Sequence, residues 1–174
     1  MRRLAYYVAV TTDGFIAHTD GSVDGFLMEG EHVDEFTASL AAYDTVLMGR
    51  ATYDFGRSFG VTNPYPTLRQ YVFSRTLRSS PDPAITLVAN NGTALVRDLK
   101  SENTGKDIWL CGGAELASVL FAEELIDDLI LKVNPVLFGA GKPLFSGPIT
   151  QQDLVLTGTH AHQNGVVVLR YRIR

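Results

Sequence analysis

The chain has 174 residues, of which 45% are hydrophobic and 20% charged, a balance that suits one soluble globular domain spanning residues 1–174. Its formal net charge of -4 argues against a broad nucleic-acid-binding face, since such faces are usually strongly basic. The single cysteine, Cys111, excludes an internal disulfide and fits a reducing compartment, so the expected location is cytoplasmic, and no apolar run approaches the roughly 18–20 residues that a bilayer requires.

In chain order, Arg2 and Arg3 precede a short apolar run that Asp13 interrupts without a clear small-residue cleavage site, so the start reads as a first strand and not a signal peptide. Leu4–Val10 is that strand, closed by the turn sequence "TTDG". Thr19–Gly30 carries three glycines and reads as a loop. Glu31–Ala42 follows as a helix, with Val33, Phe36, Leu40 and Tyr43 at helical spacing. Asp44–Gly49 is a short buried strand, and Arg50–Gly56 opens a helix. "TNPYP" (Thr62–Pro66) reads as a surface loop. Tyr71–Phe73 and Ile85–Val88 are short strands, and Thr93 is placed as the cap of a helix over Thr93–Leu99. Ile108–Cys111 is a strand, Ala114–Glu124 a helix and Asp128–Phe138 a long strand. Leu154–Thr159 and Val166–Ile173 form a final antiparallel pair around Asn164-Gly165, a hairpin signal. Alternating strands and helices in the first part predict a parallel sheet flanked by helices, and the late strands make it mixed.

Two strand-to-helix junctions carry the chemistry, "VLMGRATYDFG" and "IWLCGGAELA". Glycine at such a junction lets a ligand reach the backbone without meeting a Cβ. Exposed N–H groups and the positive end of the helix dipole favour an anion there. Either junction alone is equally a tight structural turn; on neighbouring strands the two can share one long anion such as a pyrophosphate. Arg50, directly after Gly49, can pair bidentately with phosphate or form a surface ion pair. Ser74 and Arg75 sit where a strand ends, the edge at which parallel sheets gather ligands, and either bind the extra phosphate of NADP or face solvent.

Other signals fail on chemistry. "FGAGKP" lacks the glycine and the Ser or Thr that a phosphate loop needs at Val136 and Pro143, and no Rossmann G-x-G-x-x-G is present. A zinc deaminase needs a C-x-x-C pair, which one cysteine cannot supply. His160 and His162 alternate along a strand and can share one face, but no third ligand accompanies them in the sequence, so they read as exposed strand histidines and no metal is expected.

Taken in order, "VAVTTDGFIA", "VLMGRATYDF", "YVFSRTL", "IWLCGGAELA" and "LKVNPVLFGAGKPLF" resemble the dihydrofolate-reductase-like superfamily. The closest resemblance is to its branch containing the C-terminal reductase domain of the bifunctional riboflavin-biosynthesis deaminase-reductase. The resemblance implies an α/β fold, a three-layer α/β/α arrangement with a mixed, mostly parallel central sheet and a C-terminal antiparallel hairpin. It implies NADPH across the strand ends. By that resemblance Gly49, Arg50 and Thr52 start the phosphate-binding helix, and Ser74 and Arg75 face the 2'-phosphate. Gly112, Gly113, Ala114, Glu115 and Leu116 form the pyrophosphate turn with Cys111 before it, and Val8 and Ala9 lie near the cofactor on the first strand. Thr11 stands where the branch commonly has serine, Asp13 is retained, and both are implied in substrate binding. No deaminase domain accompanies the match, and the only tryptophan, Trp109, is not where true dihydrofolate reductases carry theirs.

Hydride addition to a C=N or C=O bond builds negative charge on the heteroatom and calls for a nearby proton source. Asp13 is the first candidate, with Asp34 and Glu35 next. An Asp-Gly turn, and acids that complement a helix dipole, are the structural readings of the same residues. The expected protein is an NADPH-dependent reductase of a small heterocyclic (pterin- or aminopyrimidine-like), imine or carbonyl substrate, a homodimer without nucleic-acid or membrane partners. A non-catalytic nucleotide-binding module on the same fold, and a true dihydrofolate reductase, are the alternatives.

Overall fold

A computed structural model describes all residues, 1–174. In chain order the elements are β1 (Leu4–Thr11), β2 (Phe15–Ala17), α1 (Glu31–Ser39) with a 3-10 turn at Leu40–Ala42, β3 (Tyr43–Gly49), α2 (Arg50–Ser58), β4 (Arg69–Phe73) and β5 (Ile85–Val88). Then come α3 (Gly92–Ser101), β6 (Asp107–Gly112), α4 (Ala114–Ala122), β7 (Asp128–Asn134), β8 (Lys142–Pro143), β9 (Leu154–Ala161) and β10 (Val167–Ile173). Eight strands form one sheet in the order β5-β4-β3-β6-β1-β7-β10-β9. The six from β5 to β7 are parallel, and β10 pairs antiparallel with both β7 and β9. The expected mixed, mostly parallel sheet with a C-terminal hairpin is therefore present.

Side chains alternate across the sheet and build two cores. On one face Leu4, Tyr6, Leu47, Ile108 and Leu110 pack with Val96 and Leu99 of α3 and Ala117 and Leu120 of α4. On the other, Ala5, Tyr7, Val46, Met48 and Trp109 pack with Tyr53 of α2 and Phe36 of α1. The sheet is thus the middle of three layers. No helix is long and apolar enough to cross a membrane.

Several sequence boundaries shift for local reasons. The strand predicted to Phe138 stops at Asn134, because Pro135 has no N–H for the ladder. The chain then crosses to form β8 against β2, a pairing too short to show alternation in sequence. Thr93 lies inside α3 and does not cap it; Asn91, at φ 56, takes the N-cap position. The helix predicted to Glu124 ends at Ala122, since Glu124 adopts φ 55. Leu125 N–H then bonds Leu120 O at 2.9 Å and Glu124 N–H bonds Phe121 O at 3.0 Å, the Schellman pattern. Thr62–Pro66 is no bare surface loop: the Tyr65 ring turns inward and meets Trp109 edge-on at 4.7 Å. The apolar "VVVLRYRI" strand is β10 and lies inside the sheet, with β9 outside it as one of the two edges.

Candidate active site

The two glycine junctions meet. β3 and β6 are parallel neighbours with Met48 opposite Gly112. A Cβ added to Gly49 would lie 3.1 Å from the Gly113 nitrogen, and one added to Gly112 would lie 3.2 Å from the Thr52 hydroxyl. Gly112 has φ +146, and the Gly112-Gly113 peptide is cis. Glycine is thus required twice, for conformation at Gly112 and for close approach at Gly49. Gly49 and Gly113 are the N-caps of α2 and α4, and neither helix start receives a side-chain cap. Two sets of orphan N–H donors therefore lie side by side, an arrangement that fits a diphosphate. Ala114, Glu115 and Leu116 form the first turn of α4; Glu115 is exposed, so its side chain opposes an anion while its backbone favours one.

Arg50 donates to Asp54 one turn on and to Thr76 Oγ1 at 3.1 Å. Ser74 is buried and its hydroxyl accepts N–H bonds from Thr76 (3.3 Å) and Leu77 (2.9 Å), shaping the turn after β4. Arg75 is exposed and forms no ion pair. Thr76, absent from the sequence reading, links Arg50 to this turn; the hydroxyl two positions after Ser74 was its only signal. A groove of about 450 Å³ lies between β5 and α3, lined by Tyr71, Leu87, Val88, Asn91, Ala94 and Leu95 among others, and no residue of the Ser74–Leu77 turn lines it.

At the end of β1, Val8 and Ala9 are half-buried on opposite faces. Thr11 Oγ1 donates to Asp13 at 2.5 Å and accepts from Phe15 N–H at 2.9 Å. The Asp13 carboxylate also accepts N–H bonds from Phe138 (3.2 Å) and Gly139 (2.7 Å). These bonds, the Thr11 hydroxyl first, hold its pKa below the ordinary aspartate value. Asp13 is therefore a carboxylate at neutral pH that clasps the β1–β2 turn to the loop after β7, suited to accepting hydrogen bonds and not to delivering a proton.

Lys132 is a second residue that the sequence reading passed over. It lies opposite Ala9 on β7, two residues after Ile130, and so faces the α1 side with Trp109 and Ile130. Burial lowers its pKa, and its ammonium has no ion-pair partner. Cys111 shares this face; burial pushes its thiol up to about 11, so it stays neutral, and its sulfur is 3.8 Å from the Tyr65 hydroxyl. Trp109 Nε1 donates to Tyr7 O at 3.0 Å, which fixes the indole as packing.

The two helix acids separate. Asp34 is exposed in the first turn of α1. Glu35 points to the far strands: Oε1 accepts from Arg170 (2.7 Å), and Oε2 lies 2.7 Å from His160 Nδ1 and 3.1 Å from His162 Nε2. Burial would raise the Glu35 pKa, but the bonds from His160 and Arg170 outweigh it and lower the value. β9 lies four strands from β6, about 19 Å of sheet, so Glu35 is committed away from the diglycine turn. The histidine reading is also corrected. His162 is buried with a side chain 2% exposed, and a third group, Glu35, converges on the pair from α1.

Known proteins resemble this chain. The chain matches the family model described as RibD C-terminal domain over residues 2–168. The uncharacterized protein YwjB of Bacillus subtilis (strain 168) is 36% identical over 159 residues, covering 91% of each chain. The uncharacterized protein YyaP of the same organism is 35% identical over 181 residues, covering 98% of this chain and 94% of that one. A putative riboflavin biosynthesis protein from Shewanella sp. PV-4 superposes with a TM-score of 0.84 at 23% identity, over 100% of this chain and 99% of that one. The diaminohydroxyphosphoribosylaminopyrimidine deaminase/5-amino-6-(5-phosphoribosylamino)uracil reductase of Thermotoga maritima superposes with a TM-score of 0.73 at 17% identity. There the match covers 99% of this chain but 57% of the bifunctional enzyme. At these identities the two structures share the fold with this chain.

Proposed function

This chain belongs to the RibD C-terminal domain family, and from that premise we propose that it is an NADPH-dependent reductase of a small heterocyclic, imine or carbonyl substrate, acting as one domain. The observation that carries the proposal is the apposition of two uncapped helix starts across Gly49 and Gly112-Gly113. When bound, NADPH would supply the hydride. The first-turn N–H groups of α2 and α4 would hold its diphosphate, with Thr52 beside them and Arg50 released from Asp54 to join them. Arg75, which has no internal partner, would take the 2'-phosphate.

On the α1 face the same chain offers a substrate wall. Lys132 is a desolvated cation opposite Ala9, placed to stabilise negative charge that develops on a substrate heteroatom and to return a proton to it. Thr11 and Asp13 hold the mouth of the site in shape, and the Asp13 carboxylate is available to accept from an amino group. The commitment of Glu35 to Arg170 and the histidines, and the burial of Trp109 inside β6, weigh against a true dihydrofolate reductase. A second copy would dock along β9, whose Leu154 and Leu156 are 44% and 53% exposed.

Fluorescence titration with NADPH and NADH tests the reading, followed by a panel of pterins and aminopyrimidines monitored by loss of NADPH absorbance. Micromolar NADPH binding with turnover of one panel member is expected. Binding without turnover of any substrate would favour the non-catalytic nucleotide-binding module. No binding below millimolar concentration of either nucleotide would end both.

A further inference from the structure

We propose that Glu35, His160 and His162 form a binding site for a zinc-class divalent cation that pins α1 to the β9–β10 hairpin. The three residues come from places 125 residues apart, yet one ligand atom from each lies within 4.8 Å of the others. His160 is the second-last residue of β9 and His162 follows two residues later, so both rings fall on one side, their centroids 4.2 Å apart. The Glu35 carboxylate projects between them from α1.

The independent observation is His162. Its side chain is 2% exposed, and neither ring nitrogen has a hydrogen-bond partner. The 3.1 Å approach of Nε2 to Glu35 Oε2 lacks the alignment of a hydrogen bond. A buried imidazole without a partner is costly, and a metal ion accepting its lone pair removes that cost. Ordinary packing does not require three lone-pair donors to converge in this way. In a tetrahedral zinc site with bonds of about 2.0–2.1 Å, ligand atoms stand roughly 3.3 Å apart. The two Glu35–histidine separations of 2.7 and 3.1 Å are close to that, and the histidine nitrogens lie within 4.8 Å of one another.

The surroundings set the coordination. Arg170 holds Oε1 at 2.7 Å, leaving Oε2 as the single ligand oxygen. Its positive charge also opposes the cation, so moderate affinity is expected, well below that of a Cys-rich structural site. His32 lies against His162 at 5.9 Å, but its own nitrogens are engaged by Leu27 O (2.8 Å) and Asn164 (3.0 Å), so it packs without ligating. Two imidazoles and one carboxylate suit zinc, cobalt or nickel better than magnesium or calcium. The fourth position would fall to water.

The test uses the full chain, stripped with a chelator and dialysed, then titrated calorimetrically with zinc chloride and spectroscopically with cobalt chloride. One equivalent should bind, with micromolar or tighter affinity and the intense visible bands of tetrahedral cobalt. Zinc should also raise the thermal midpoint by a few degrees, and magnesium should not. Glu35→Gln and His160→Ala should each weaken binding about tenfold or more. His160 is 58% exposed, so its variant tests the ligand without disturbing the core. Absence of stoichiometric binding, or wild-type affinity in both variants, overturns the site.

Discussion

The two ends of the sheet treat charge in opposite ways. Where the strands begin, charged groups close on partners. The Arg2 guanidinium, 3% exposed, donates to Lys106 O (2.5 Å), Thr45 Oγ1 (2.9 Å), Asp44 and Glu102. Arg3 grips Asp128 with two bonds of 2.6 Å. Lys100 bridges Leu125 O (2.7 Å) and Asp127 (2.6 Å), and Asp127 in turn accepts Leu4 N–H at 2.7 Å. Where the strands end, the corresponding groups stay open. α2 and α4 start without side-chain caps, Arg75 and Lys132 have no ion pair, and both nitrogens of His162 are unpartnered. Buried polar groups are normally satisfied, so the first end holds the chain together and the second is where the proposed ligands would sit.

The contrast can be broken at either end. Arg2→Met should have the largest effect, because it removes the buried guanidinium and leaves Asp44 and Glu102 to the more exposed Arg69 alone. A loss of about 3–5 kcal/mol is expected in urea denaturation, with NADPH affinity of the folded fraction unchanged. A parallel loss of affinity would mean that the two ends are not separable. Lys132→Met should do the reverse. It should lower kcat about 100-fold without lowering stability. A lysine with a depressed folded pKa is less protonated than in the unfolded chain, so its contribution to stability grows as pH rises towards the ordinary lysine value. Removing it should therefore flatten the alkaline limb of a thermal-midpoint against pH curve. A substantially unchanged kcat would remove Lys132 from the site.

Gly112→Ala comes next. With φ +146 and the Thr52 hydroxyl 3.2 Å from the new Cβ, a cost of about 1–3 kcal/mol is expected together with loss of measurable NADPH binding. Retained binding would show that the turn does not approach the ligand. Arg75→Ala should erase an NADPH-over-NADH preference of about tenfold, roughly 1.4 kcal/mol, while leaving the melting curve alone. An unchanged preference would place the 2'-phosphate elsewhere.

The smallest effect concerns acid. Burial alone would raise the Asp44 pKa, but bonds from Thr45 and Lys106 and the charges of Arg2 and Arg69 bring it below the ordinary value; Glu102 is lowered mainly by Arg69. Carboxylates with depressed folded pKa values stabilise above their unfolded values and lose that contribution as pH falls through the folded ones. The thermal midpoint should be level from neutrality down to about pH 5 and fall below about pH 4. Asp44→Asn should make that fall shallower, and an unchanged slope would assign it to other groups.

Part of the site was readable before any coordinates. The glycine junctions were visible because each is local: a buried run ends, glycine follows, and a helix-forming segment begins within ten residues. The boundary errors have local causes too, Pro135 ending β7 and Asn91 taking the cap from Thr93. Tyr65 was read as surface because nothing near it in sequence reveals Trp109 or Cys111. Lys132 was passed over because a lysine in a strand normally faces water; its desolvation depends on what lies opposite, Ala9 and Val168.

What the sequence by itself determined was therefore the element types, the mixed sheet, the family and the residues suited to a diphosphate. Backbone preference and hydrophobic period act over a few residues, and those features need nothing more. Tertiary structure decided the rest: that Gly49 faces Gly113, that Asp13 is clasped by Phe138 and Gly139, and that Glu35 turns from the proposed hydride site to meet His160 and His162. Strand order sets those meetings. It follows from how all the strands share two cores at once, and no short stretch of the chain encodes it.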